Sequence, residues 1–97
     1  MIKRQGDLLI VKIDRIPEDA LSRESRVLAE GEATGHMHEL DSGEVYGRDG
    51  MLYFKVAEGG SATLKHPEHK PVEFDEGSYR VVRQREYEPK AWRYVSD

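Results

Sequence analysis

Cysteine is absent from the 97 residues, which removes disulfides, thiolate metal ligands and cysteine nucleophiles together. Long apolar runs are missing too, since no stretch approaches the roughly 20 residues that a membrane-spanning helix needs. The opening MIKRQGDLLIVKIDR carries too many charges around a short apolar run to be a secretory signal. The glycines of AEGEATG and AEGGSA lack the strand-to-helix setting of a phosphate loop, and no serine sits in a nucleophile elbow. With no internal repeat, low-complexity segment or linker, residues 1–97 are expected to form a single β domain with one modest core. A cytoplasmic location and no membrane association are expected on the same grounds.

What the chain does hold is charge: 35% of its residues are charged against 37% hydrophobic. So few apolar side chains suit a small barrel better than a thick layered fold. The net charge of -4 is unevenly spread, with an acidic middle and a basic end from Ser78 onward. An acidic middle disfavours nucleic acid as a general partner, while the basic end keeps a local version open.

Alternating apolar and polar residues recur in short runs bounded by Gly, Pro and Asp, the pattern of an all-β barrel or sandwich. DLLIVKID reads as the first strand, with Leu9, Val11 and Ile13 on one face and Leu8 and Ile10 partly covering the other. IPEDALSRES suits one short helical turn, with Pro17 at its first position. RVLAEG is a short strand or extended link. Further strands are expected at 36–40, 44–47, 51–56, 61–66, 71–75, 78–88 and 92–96. DSG, RDG, EGG and DEG supply the turns between them.

The four histidines form two tight pairs, one in TGHMHEL and one in KHPEH. Side chains alternate across a strand, so His36 and His38 share a face with Leu40, and His66 shares one with Ala62 and Leu64. Two separate strands thereby deliver imidazoles to the interior. Each buried ring nitrogen needs a partner, and a divalent cation satisfies several at once. Candidate ligands are His36, His38 and His66, with His69 or Glu44 as a fourth; imidazole with carboxylate suits Zn, Fe, Ni, Cu or Mn. Two other readings stay open: satisfied core histidines, or a metal-free imidazole cluster for substrate binding or acid-base work.

Gly31, His36, His38, Glu44 and Gly47 follow one another in the order of the first cupin motif, and the chain resembles the cupins on this segment. The resemblance implies a small cupin-like barrel or roll, and the alternating runs above amount to about 7–9 short antiparallel strands. The resemblance further implies a bound metal. If such a site is catalytic, the ion acts as a Lewis acid with an open coordination position. The chain is also similar to a group of short bacterial proteins that carry TGHxH followed by a QREY-type segment.

SYRVVRQREYE offers two assignments. With Val81 inside, Arg83 and Arg85 also face inward and grip a small polar or acidic ligand beside the histidines. With Val82 inside, the arginines form a solvated outer row. A competing function is a non-enzymatic interaction module, in which the Arg, Tyr and Trp residues of the C-terminal strand bind a protein or a single-stranded nucleic acid. Edge strands make a homodimer the expectation under either function.

Overall fold

The computed structural model describes residues 1–30 and 36–83. The described residues are all β, with eight strands in one curled antiparallel sheet and no helix. The first two strands, β1 (Ile2–Gln5) and β2 (Leu8–Ile13), form a hairpin in which Gln5 pairs with Leu8. Its two-residue turn is Gly6-Asp7, and Gly6 adopts a φ of 60°, a conformation that glycine reaches without the Cβ penalty. β3 (Leu21–Arg23) is a short strand, and β4 (Val27–Glu30) pairs with β5 (Met37–Leu40). β6 (Glu44–Arg48) lies between β3 and β7 (Met51–His66), and β8 (His69–Arg83) completes the set.

The two long strands dominate. β7 and β8 form a hairpin closed at His66 and His69, and β8 carries β2 on its other side. The free side of β7 is shared: its first half pairs with β6 and its last residues with β5. Four strands expected separately, at 51–56, 61–66, 71–75 and 78–88, are therefore two continuous ones as far as residue 83. EGG and DEG do not reverse the chain. They face each other across the ladder, where the register jumps from Val56–Gly77 to Ser61–Asp75, and Gly59 N–H donates to Glu76 Oε1 at 3.0 Å. The result is a large bulge that bends both strands together.

Other expectations also change. The segment expected as a helical turn contains instead a β-turn in which Ala20 N–H donates to Pro17 O at 3.1 Å. In β2 the fully buried face carries Leu8 and Ile10, while Leu9, Val11 and Ile13 are only partly covered. The strand expected at 92–96, the end of the one at 78–88, and Gly31 lie outside the described residues.

Inside the curl, Phe54, Phe74 and Tyr79 pack ring against ring at centroid separations of 4.8 to 5.3 Å, and all three are fully buried. The Tyr79 hydroxyl donates to Asp75 O at 2.7 Å, so its polar end has a partner, as a buried phenol requires. Leu40, Leu64 and Ala62 extend this core toward the closed end of the β7–β8 hairpin.

Polar ties draw the curled sheet together at that end. Gln5 of β1 reaches His38 of β5, although β2, β8 and β7 separate those strands in the sheet. Arg83 of β8 donates from Nη2 to Glu30 O of β4 at 3.0 Å. Leu64 is fully buried and lies directly beneath this seam, so Leu64→Ala is expected to cost about 2–5 kcal/mol. Urea denaturation checks this: a loss below about 1 kcal/mol would show that the interior is not close-packed there.

Candidate functional site

The four imidazoles meet at the seam. His66 is their hub, with ring centroids 4.4 Å from His38, 4.5 Å from His69 and 5.9 Å from His36; His38 and His69 are 6.0 Å apart. Two causes bring them together. Antiparallel pairing of β5 with the end of β7 sets His38 beside His66, and the β7–β8 turn folds His69 back opposite His66. The β1–β2 turn forms the floor. A Cβ at Gly6 would lie 2.8 Å from His69 Nε2 and 3.2 Å from His38 Cε1, so a larger residue there would push the His69 ring aside.

His38 is 5% exposed and Gln5 is 3% exposed. The Gln5 amide nitrogen faces two backbone carbonyls, Leu64 O at 2.9 Å and Lys70 O at 2.8 Å. Only an NH2 group can serve both, so the amide oxygen is the atom turned toward His38 Nδ1 at 2.9 Å. An oxygen there needs a donor, which places a hydrogen on Nδ1. In the neutral ring Nε2 is then an unprotonated lone pair.

That lone pair looks at another acceptor. Asp7 Oδ1 lies 3.7 Å from His38 Nε2. Protonating Nε2 would fill the gap, but burial first, and then the neighbouring His66, pull the His38 pKa from 6.5 to about 4 despite the opposing pull of Asp7. At neutral pH a nitrogen lone pair and a carboxylate oxygen thus face each other with no hydrogen between them. A water or a metal ion fits such a gap. His66 is also held below the ordinary imidazole range, by partial burial and then by His69 and His36. Its Nδ1 accepts the Glu68 backbone N–H at 3.0 Å, leaving the ring hydrogen on Nε2.

The other sequence candidates fall in different places. His36 is partly exposed and its Nδ1 lies 3.4 Å from Glu68 Oε1. Glu44 stands apart from the cluster: β5 and β6 follow one another along β7, both antiparallel to it, so Glu44 pairs with Lys55 in the first half of β7 while β5 pairs with the last residues. Its carboxylate accepts the Tyr46 hydroxyl at 3.0 Å. Arg83 shares the face of Tyr79 and Val81, both in the core, and its Nε lies 3.9 Å from Asp7 Oδ2. Among the described residues that Nε is buried without a hydrogen-bond partner. Arg85 lies outside the described residues. A groove of about 1060 Å³ runs past Arg23, Arg48, Leu52 and Val82 to Arg83 and touches none of the histidines.

Gln5, Gly6 and Asp7 were not anticipated as site residues. The available signal was the Gly-Asp dipeptide between two apolar-bearing runs, which marks a two-residue hairpin. Their proximity to the histidines is set by the curl and has no local signature. Among the described residues no three His, Asp or Glu side chains already surround one point as metal ligands do. The arrangement is one pinned donor, His38 Nε2, with Asp7 and the exposed His69 ring beside it.

The depressed His38 pKa makes stability depend on pH. Between pH 6.5 and about 4 the unfolded chain takes up a proton that the folded ring refuses, so stability falls as pH is lowered through that window. The expected loss in metal-free protein is on the order of 3 kcal/mol, with the slope reduced in His38→Gln. Urea denaturation at several pH values measures it, and an NMR titration placing His38 near 6.5 would contradict it.

Among the described residues no helix is long and apolar enough to cross a membrane. No curated protein and no solved structure matches the chain. Residues 4–84 match the family described as Domain of unknown function (DUF8820), a span that includes Gln5, Asp7, all four histidines and Arg83. The chain therefore belongs to the DUF8820 family.

Proposed function

We propose that this protein binds a first-row divalent cation at the seam of its sheet, with His38 Nε2 as the fixed ligand, an Asp7 oxygen as the second and His69 as the third. One observation carries the reading: two acceptors, one of them an imidazole with its tautomer locked, face each other across 3.7 Å. Two ligands on one tetrahedral zinc stand about 3.4 Å apart, given bonds of about 2.0–2.1 Å. The gap is thus close to the spacing a cation imposes and longer than a hydrogen bond. Metal-bound histidines characteristically donate their other N–H to a fixed oxygen, as His38 does to Gln5. His69 completes the set by turning its exposed ring about the Gly6 floor.

His66 is not a ligand in this reading, because its Nδ1 is taken by the Glu68 N–H. Glu44 is replaced by Asp7. When bound, the ion supplies a Lewis-acidic centre with an open position, which would make cupin-like enzymatic chemistry accessible. Arg83, whose Nε is buried and lacks a hydrogen-bond partner among the described residues, is placed to take a carboxylate of a small acidic ligand beside that centre. In the same reading the protein is cytoplasmic, and it is a homodimer, since among the described residues β1 and β4 each pair on one side only.

Added Zn²⁺, Ni²⁺ or Mn²⁺ is expected to raise the melting temperature of metal-free protein. His38→Ala and Asp7→Asn should each weaken binding at least about tenfold, and Gln5→Leu by roughly 10- to 100-fold. Glu44→Ala should change nothing. Thermal shifts and calorimetric titration read all four, and a melting temperature indifferent to every metal would end the proposal.

A further inference from the structure

At the outer end of the imidazole row, His36 Nδ1 and Glu68 Oε1 are 3.4 Å apart. We infer that this pair is the seat of a second divalent cation next to the first, so that the site holds two ions side by side. The inference rests on the metal reading above and adds Glu68, a residue to which the sequence assigned no role.

Three observations support it. The separation is again longer than an N–H···O hydrogen bond and equals the spacing, about 3.4 Å, of two ligands on one tetrahedral ion. The pair also lacks a structural purpose: both side chains are substantially exposed, at 35% and 63%, and an exposed ion pair contributes at most about 1 kcal/mol. Finally, Glu68 is held in place by its own backbone, whose N–H donates to His66 Nδ1 at 3.0 Å. That bond ties the Pro67-Glu68 turn to the hub of the cluster. His66 then stands between the two half-sites, 4.4 Å from the His38 ring and 5.9 Å from the His36 ring.

The two positions differ in kind. The inner one has a buried imidazole whose tautomer is locked by Gln5. The outer one has two exposed donors and fills its remaining positions with water, so its affinity is lower and its open face larger. The ligand class that fits is a polycarboxylate long enough to reach from one ion to the other past His66.

The test is stoichiometry on the full chain. Metal-free protein is dialysed against Zn²⁺, or separately Mn²⁺, over a range of free concentrations, and bound metal is measured by elemental analysis. Two equivalents are expected in the parent, the second at least tenfold weaker than the first. Glu68→Gln and His36→Asn should each keep the first equivalent and lose the second, with unchanged melting temperature in the metal-free state. One equivalent in the parent, or two that persist in both variants, overturns the second ion and leaves the first standing. No bound metal at any concentration overturns both.

Discussion

The hydrogen bond between Gln5 and His38 is the constraint on which the rest of the structure turns. It joins a strand at one edge of the sheet to a strand near the other, across three intervening strands. The bond is buried, so losing either partner would leave a polar group without water or protein to satisfy it, at a cost of about 1–3 kcal/mol. Gln5 also caps Leu64 O and Lys70 O on the central hairpin. One side chain therefore does three things: it holds the curl, satisfies two strand-end carbonyls and selects the tautomer of the imidazole it touches.

Fold and chemistry are coupled through that selection. His38 and His66 resist protonation, because burial penalises a charged ring there and each charged neighbour raises the cost further. His38 consequently remains a neutral base over the physiological range. A neutral His38 nitrogen beside the Asp7 carboxylate is a better host for a cation than for a proton. Arg83 balances the inner carboxylate from the other side while also tying β8 to β4.

The bend in the long hairpin is the second device that builds the site. Gly59 and Gly77 take positive φ values of 77° and 143°, and the bulge between them turns both strands. β7 can then pair with β6 along its first half and with β5 at its end. β5 and β6 follow one another along β7, both antiparallel to it, so the two candidates His38 and Glu44 are sent to opposite halves of the same strand.

The sequence by itself determined the all-β class, most strand positions and the shared inward face of His38, Leu40, Ala62 and Leu64. These follow from period-2 alternation, which is a local property of the backbone. Two kinds of information were decided only by tertiary structure. Whether a glycine cluster is a turn or a bulge depends on what faces it: EGG and DEG are opposed in the ladder and cancel as turns, a fact of register that neither segment contains. Likewise, Gln5 and Asp7 meet the histidines only because the sheet curls until its edges touch. That approach is set by core packing and strand twist summed over the whole sheet, and no spacing along the chain encodes it.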